Sequence, residues 1–451
     1  MIPEKIKKKI NYAIVRINAE VIEKNPNIPF QNIQPSRGQG TGFFIDKKGH
    51  ILTCAHVVNS SKNIYVEIPH LSSQKIECDI VFFVPEFDLA LLKTRDFKNK
   101  DYLELGKSNL LKTSDEVFAV GFPKSISTGR SNNIKYTTGI ISGHQEGLLQ
   151  TDTAINPGNS GGPLFYKNKV IGINSRKLVG SNVSNIGYAV PIEYFHNVKK
   201  KDIIVHRPLL NCIINNMNEN IVKKLTKNND GVYISKVYPK SIFKDIKKEF
   251  ILTKFDKYEI DNYGYSTKRW LNDKVHLEEL IHFYKNDESI NIEYFIDEKK
   301  EKRKIKLIPE KPIISMNYSN YEKTDFLIIG GAIMMNLNIN HIVSNKMLLH
   351  KMDETHLYEK KCIISFILPN STISIMNNFM NGDIIKNINE KEIKDLSDVR
   401  KALQIDYKIN GKKCIKIMTS NYYTTILDYK KIINSNQRLM KIFNFNKKNI
   451  L

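Results

Sequence analysis

Short apolar or alternating runs, broken by closely spaced turns, fill the chain from about residue 12 to residue 191. They include "AIVRI", "GTGFFID", "IYVEI", "DLALLKT", "EVFAVGFP" and "KVIGINS". Period-two alternation is typical of half-buried β-strands, and many short strands with frequent turns indicate an antiparallel barrel or sandwich. The strands are numerous enough for two small barrels, and segment 192–201 predicts a helix that closes this region.

The remaining chain has a different pattern, in which strands and helices are mixed. Segments 231–241 and 290–296 predict strands, and the apolar residues of 277–284 fall on one face of a helix. A related layout recurs near the C-terminus, where 362–371 predicts a strand and the apolar residues of 396–403 line a helical stripe. Two small α+β domains are therefore expected after the barrels.

One glycine-rich stretch, "TDTAINPGNSGGPLF" at 151–165, interrupts a segment that otherwise predicts a strand. Glycine is unfavourable in a strand because it brings no side chain to pack and loses the most backbone entropy on folding. Gly158 can, however, turn its N–H group and that of Ser160 toward one point, as an oxyanion hole requires. Gly161 and Gly162 are expected to let a substrate backbone approach closely. The stretch predicts Ser160 as a nucleophile.

Acyl transfer by a serine also requires a base and a carboxylate that orients this base. His56 follows a predicted strand in "LTCAHVV", and Asp88 begins another in "FDLALLK". A single histidine or aspartate in such a place is more often structural. The order His, Asp, Ser within an all-β region is that of chymotrypsin rather than subtilisin or the α/β-hydrolases, and it favours a catalytic role for both residues.

Four segments, "GTGFFID", "LTCAHVV", "DLALLK" and "AINPGNSGGPL", resemble the signature segments of the HtrA/Deg (DegP-like) family of chymotrypsin-fold serine proteases. The resemblance implies that His56 is the base, Asp88 the orienting acid and Ser160 the nucleophile. It assigns the oxyanion loop to Gly158, Asn159 and Ser160. The implied function is an ATP-independent serine endopeptidase of protein quality control that cleaves misfolded or damaged proteins. Neither a cofactor nor a metal is expected.

The segment "GDIIKNINEKEIKDLSDVRKAL" resembles the strand and helix of a PDZ domain, and the downstream region as a whole resembles the plant-type Deg subgroup with two divergent PDZ domains. The expected fold is mostly β, with a chymotrypsin-like double β-barrel protease domain followed by two α+β PDZ-like domains. The expected boundaries are 1–203 for the protease domain, 204–309 for the first PDZ-like domain, and 310–451 for the second with its extension and tail. The resemblance also implies a homo-oligomer, a trimer or a multiple of trimers.

The specificity pocket is predicted from its position relative to the nucleophile. In the chymotrypsin arrangement the pocket floor lies six residues before the serine, which here is Ala154. Because no carboxylate stands there, a shallow apolar pocket is expected to favour Val, Ala, Ile or Leu over charged side chains. An inward turn of either Arg176 or Lys177 would admit an acidic side chain instead. The expected wall residues are Ser175, Arg176, Leu178, Tyr188 and Ala189.

Composition and charge exclude some partners. Apolar residues make up 41% and charged residues 26% of the chain, as in ordinary folded proteins. The formal net charge is +22, but the lysines are scattered among acidic residues, so no specific nucleic-acid partner is expected. The longest apolar run, 326–335, is shorter than the about 20 residues that span a bilayer, so no membrane span is expected.

The five cysteines are widely spaced, odd in number and without a CxxC pair, which predicts a reducing compartment and no metal site. Residues 1–17 lack the apolar core and cleavage site of a secretory signal, so either the protein stays where it is made or an upstream targeting segment has been removed. We therefore expect a soluble, intracellular protein of the cytoplasm, nucleus or an organelle matrix. Its expected partners are unfolded or misfolded protein and peptide substrates.

A holdase chaperone or PDZ scaffold with little proteolysis on the same fold is the alternative function. A broken triad would favour it, whereas all three triad positions and the oxyanion loop are intact in this sequence. A secreted digestive protease of the trypsin type is disfavoured, because it would carry paired cysteines and no PDZ-like tail.

Overall fold

A computed structural model describes residues 4–69, 71, 74–123, 133–177, 186–217, 230–346, 348, 358–446 and 450, without the side chains of 176 and 177. The chain divides into two compact units. Unit 1 comprises Met1–Val21 and Ser36–Lys311, and unit 2 comprises Ile22–Pro35 and Pro312–Leu451. The three domain boundaries expected from the sequence stay a prediction.

Unit 1 begins with a closed six-stranded barrel. Its strands are β1 (Ile14–Val21), β2 (Ser36–Phe44), β3 (His50–Thr53), β4 (Ser61–Glu67), β5 (Ile76–Val84) and β6 (Leu89–Thr94), in the order β1-β2-β3-β6-β5-β4. Helix α1 (Glu4–Ala13) leads into β1, α2 (Ala55–Val58) follows β3, and a 3-10 turn (Pro85–Phe87) precedes β6. Alternation along the strands buries large apolar side chains such as Ile17 and Phe43 completely.

A second closed barrel follows. Its strands are β7 (Glu116–Gly121), β8 (Lys135–Gln145), β9 (Leu148–Thr151), β10 (Pro163–Tyr166), β11 (Lys169–Lys177) and β12 (Gly187–Pro191), in the order β10-β11-β12-β9-β8-β7. A 3-10 turn (Ser108–Leu110) comes before β7, and α3 (Glu193–Asn197) follows β12. The predicted mostly β, double-barrel fold is confirmed. Helix α3 is shorter than predicted because Val198 takes an extended backbone, with ψ 131°.

The rest of unit 1 is an α+β region. Its strands are β13 (Cys212–Asn215), β14 (Val232–Val237), β15 (Phe250–Phe255), β16 (Tyr258–Glu259), β17 (Tyr265–Trp270), β18 (Asp273–His276), β19 (Ser289–Ile296) and β20 (Lys299–Lys306). An antiparallel sheet runs β13-β14-β15-β19-β20 with β16 paired to β15, and β17 pairs with β18. The predicted helical face is helix α4 (Leu277–Leu280) and a 3-10 turn (Ile281–Phe283), where Leu277 and Leu280 are fully buried.

Unit 2 is also α+β. Its strands are β21 (Leu327–Ile329), β22 (Ala332–Asn336), β23 (Cys362–Ile367), β24 (Ile385–Ile388), β25 (Lys391–Glu392), β26 (Lys408–Ile409), β27 (Lys412–Thr419) and β28 (Thr424–Asp428). Strands β21-β22-β23 form one sheet, and β25-β24-β27-β26 with β28 beside β27 form another. Its helices are α5 (Ile339–Ser344), α6 (Thr372–Met376), α7 (Leu396–Leu403) and α8 (Tyr429–Phe443). The stripe predicted on α7 is confirmed, because Leu396 and Val399 are buried.

No helix in the described part of the chain is long and apolar enough to cross a membrane.

Candidate active site

His56 and Asp88 form a hydrogen-bonded pair in the first barrel. The short helix α2 presents His56, whose side chain is 49% exposed, and Asp88 ends the 3-10 turn with a left-handed φ of 53°. His56 Nδ1 lies 2.8 Å from Asp88 Oδ2 and 2.9 Å from Oδ1. The backbone N–H of His56 also donates to Oδ1 at 2.9 Å. These bonds fix the imidazole with Nδ1 toward the carboxylate, which leaves Nε2 free to act as a base.

The electrostatics of this pair suit a general base. Burial lowers the pKa of His56, but the hydrogen bond and the charge of Asp88 outweigh it, so this pKa lies above its ordinary value. Burial raises the pKa of Asp88, but hydrogen bonds and the charge of His56 outweigh it, so the pKa of the carboxyl lies below its ordinary value. Asp88 is therefore ionised at neutral pH and stabilises an imidazolium.

Ser175 connects the pair to Ser160. The buried Ser175 hydroxyl donates to Asp88 Oδ2 at 2.5 Å, and the Ser175 carbonyl accepts a hydrogen bond from Ser160 Oγ at 3.0 Å. Among the described residues there is no hydrogen bond between Ser160 Oγ and His56. Catalytic hydrogen bonds are often formed only in the substrate complex, so the Ser160 side chain would have to rotate from Ser175 toward the imidazole.

The loop before Ser160 leaves two backbone N–H groups without an acceptor among the described residues. Gly158 has a φ of +102°, a conformation that glycine adopts with little strain. The N–H of Asn159 is occupied, because it donates to Asn156 O at 2.9 Å. In the part of the chain that the structure covers, the N–H groups of Gly158 and Ser160 have no acceptor. These two N–H groups remain available as hydrogen-bond donors, whereas the N–H of Asn159 is used within the turn.

The glycines after Ser160 also have a packing role, and the expected substrate approach there stays a prediction. A Cβ on Gly161 would lie 2.1 Å from Thr53 Oγ1 and 2.2 Å from Thr41 O, and one on Gly162 would lie 2.2 Å from Val120 O. These glycines are therefore required because the loop packs directly against the barrel backbone.

The expected pocket residues are only partly brought together. Ala154 is exposed, whereas Ala189 is completely buried in the core of the second barrel. Tyr188 is also buried, and its hydroxyl donates to Gln145 Oε1 at 2.7 Å. Leu178 lies outside the described residues, and for Arg176 the structure describes the backbone of β11 but not the side chain. The pocket assignment stays a prediction.

Ile155 is a residue that the sequence reasoning missed. It is 4% exposed, and a Cβ on Gly187 would lie 2.8 Å from Ile155 Cδ1, so this side chain packs directly against the first residue of β12. Because the expected wall residues Tyr188 and Ala189 belong to β12, Ile155 packs beside that part of the expected pocket wall. The available signal was its position next to the predicted floor residue.

Cys54 lies close to the His56–Asp88 pair. Cys54 Sγ, a His56 ring nitrogen and an Asp88 oxygen are all within 4.8 Å of one another. Burial, and then the charge of Asp88, raise the pKa of the thiol well above its ordinary value, and the thiol donates to Asn174 O at 3.2 Å. The thiol is fully buried and protonated, so Cys54 packs as a small core residue.

Comparison with known proteins agrees with this geometry. Residues 40–173 match the trypsin-like peptidase domain family. A DegP-like periplasmic serine endoprotease of Pseudomonas putida is 36% identical over 197 residues, which are 41% of this chain and 39% of that protein. The mitochondrial Do-like 3 protease of Arabidopsis thaliana is 29% identical over 402 residues, 83% of this chain and 69% of that protein.

A solved structure, a variant of the HtrA-type protease AlgW with a decapeptide, is similar in fold, with a TM-score of 0.52 at 22% identity over 68% of this chain and 98% of that chain. The present chain spans about two fifths of the length of the first curated relatives that it matches. It carries a trypsin-like peptidase domain and has DegP-like and Do-like serine endoproteases as homologues, which confirms the resemblance to the HtrA/Deg family.

The predicted intracellular reducing compartment is wrong. The bacterial relatives, including those of Pseudomonas putida and Rickettsia conorii, are named periplasmic endoproteases, and the periplasm is oxidising. The prediction rested on unpaired cysteines. All five cysteines are free and are buried or half-buried, where an unpaired cysteine packs as a small apolar residue.

Proposed function

We propose that this protein is a serine endopeptidase in which His56 is the general base, Asp88 orients it and Ser160 is the nucleophile. The observation that carries the proposal is the hydrogen bond of 2.8 Å between His56 Nδ1 and Asp88 Oδ2, in a barrel pair that also holds Ser160 and two free backbone donors.

The proposed reaction uses each of these groups in turn. Ser160 Oγ attacks the scissile carbonyl and its proton passes to His56 Nε2, while the N–H groups of Gly158 and Ser160 bind the oxyanion. His56 then protonates the leaving amine, which leaves an acyl group on Ser160. A water then gives a proton to His56 Nε2 and attacks this ester, and His56 returns the proton to Ser160 Oγ as the acyl group leaves as a carboxylic acid. Asp88 stays ionised throughout and stabilises the imidazolium.

The physiological role that we propose is ATP-independent cleavage of misfolded or damaged proteins by a homo-oligomer. An extended, unfolded segment fits the chemistry, because the scissile peptide bond must reach both Ser160 Oγ and the backbone donors. For the residue before the cut we propose a small or branched apolar side chain, since Ala154 leaves the predicted pocket floor without a charge.

A holdase with little proteolysis is the second candidate. It is favoured by one observation, the hydrogen bond of Ser160 Oγ to Ser175 O rather than to His56, which is a resting arrangement for a nucleophile.

Digestion of unfolded casein separates the two candidates. We expect the wild-type protein to cleave it, and Ser160→Ala or His56→Ala to lower kcat by about 10⁶, as in subtilisin. Asp88→Asn should cost about 10⁴, as in chymotrypsin-type enzymes. Cleavage that survives Ser160→Ala would overturn the protease. Suppression of aggregation by wild type and Ser160→Ala alike, without cleavage by either, would support the holdase.

A further inference from the structure

Thr41, in β2 of the first barrel, makes four hydrogen bonds although its side chain is completely buried. Two of them hold it in the barrels. Thr53 Oγ1 donates to Thr41 O at 2.8 Å, and the N–H of Phe122, just after β7 of the second barrel, donates to Thr41 Oγ1 at 3.0 Å. Thr41 is therefore fixed relative to both barrels at once.

The other two hydrogen bonds of Thr41 bind the loop that contains Ser160. The N–H of Thr41 donates to Ser160 O at 2.9 Å, and Thr41 Oγ1 donates to Gly158 O at 2.6 Å. A hydroxyl has one proton, and because the N–H of Phe122 approaches Oγ1 as a donor, that proton is committed to Gly158. Thr41 thus binds the carbonyls of Gly158 and Ser160. The N–H groups of these same two residues have no acceptor among the described residues.

The orientation of these carbonyls decides whether an oxyanion can bind. A glycine adopts positive and negative φ with similar ease, so the conformation of Gly158 is not fixed by its own side chain. The Gly158 carbonyl belongs to the peptide plane between Gly158 and Asn159, and this plane links the plane of the Gly158 N–H to that of the Ser160 N–H. Rotation of this middle plane would change the angle between the two free N–H groups. The bond from Thr41 Oγ1 keeps this carbonyl in the barrel interior.

We propose that Thr41 is a positioning residue for oxyanion binding, acting through its hydroxyl on Gly158 and its backbone N–H on Ser160. The inference rests on the proposed function and deepens it. Ser175 and Asp88 position the base, whereas Thr41 positions the donors, and these two sets of contacts share no atom.

The test compares Thr41→Val with Thr41→Ser in the full chain, using a peptide p-nitroanilide that ends in valine. Valine has nearly the same shape but cannot donate to Gly158, whereas serine restores the donor. We expect Thr41→Val to lower kcat about 10- to 100-fold and to change KM less than threefold. This loss of kcat is somewhat smaller than the loss on removing an oxyanion donor itself. Thr41→Ser should stay within about threefold of wild-type kcat.

A merely structural role is excluded by two further measurements. Thr94 is another buried threonine of the first barrel. Its hydroxyl donates its single proton to Phe97 O, and Gly49 O lies farther away at 3.3 Å. Thr94→Val should lower the melting temperature about as much as Thr41→Val, yet leave kcat unchanged. A peptide boronic acid places an oxygen in the oxyanion hole. Its affinity for Thr41→Val should fall, relative to wild type, by the same factor as kcat.

Thr41→Cys gives a second series if Thr41→Val does not fold, because a thiol is a weak donor of similar size. Its kcat should lie at least fivefold below that of Thr41→Ser. A wild-type kcat in Thr41→Val or Thr41→Cys, beside an inactive Ser160→Ala, would overturn the role of Thr41 alone. Hydrolysis by Ser160→Ala would overturn the proposed function and this inference with it.

Discussion

The guanidinium of Arg207 lies over the ring of Phe87, 4.8 Å from its centroid, and Phe87 is the residue immediately before Asp88. Arg207 is buried and donates to Asn197 O at 3.1 Å and Tyr284 O at 2.6 Å. Burial lowers the pKa of Arg207 to about 10, which leaves it charged at neutral pH. The α+β region of unit 1 is thereby joined to the turn that carries the orienting acid.

We expect Arg207→Met to destabilise unit 1 by about 3 kcal/mol, because it leaves buried carbonyls without their donor. The kcat should also fall several-fold, since Phe87 loses the group that holds it beside Asp88. Thermal unfolding and peptide hydrolysis measure the two effects. Lys199→Met is the control, because Lys199 is an exposed cation of the same region and its loss should cost less than about 0.5 kcal/mol. Equal effects of both substitutions would contradict the assignment.

The pH dependence of kcat/KM should report the titration of His56 in the free enzyme. The base must be neutral to accept the Ser160 proton, so activity is present above the pKa of His56 and is lost as pH falls through it. Because Asp88 raises this pKa, the acid limb should have its midpoint above the ordinary value of about 6.5. A midpoint below that value would show that burial outweighs the carboxylate.

Ile155 should set the depth of the specificity pocket. Ile155→Ala would open the space against Gly187, so kcat/KM for substrates with Leu or Phe before the cut should rise about tenfold relative to Val. Peptides that differ only at this residue measure the ratio. An unchanged ratio, with overall activity retained, would place the pocket elsewhere and leave the proposed triad untouched.

Gly161→Ala should be strongly destabilising. The new Cβ would lie 2.1 Å from Thr53 Oγ1 and 2.2 Å from Thr41 O, on a residue with a φ of +86°, so we expect a loss of about 3 kcal/mol from overpacking and backbone strain together. Gly38→Ala is the control in β2, because its Cβ would meet no atom closer than 3.6 Å. Chemical denaturation of both variants measures the difference, and similar midpoints would argue against close packing at Gly161.

The sequence by itself was enough to predict the two barrels and the candidate triad residues, because both are encoded in short local segments. Alternation within each short run was enough to predict two small barrels, since strand faces repeat every two residues. His56, Asp88 and Ser160 were identifiable because each lies inside a short contiguous segment next to a strand end. Gly158, two residues before Ser160, has a positive φ, which the sequence could suggest because glycine alone adopts it with little strain.

Only the tertiary structure decided which groups meet across the barrels. The hydrogen bond from Ser175 to Asp88 joins residues 87 positions apart, and the bond from Thr41 to Gly158 spans 117 positions. Gly161 was assigned to substrate approach, although it is required by the backbone of Thr41 and the side chain of Thr53. Ile155 was missed because its neighbour Gly187 lies on another strand. A local pattern specifies the element that a residue joins, whereas its partners are set when the barrels close and bring distant strands into contact.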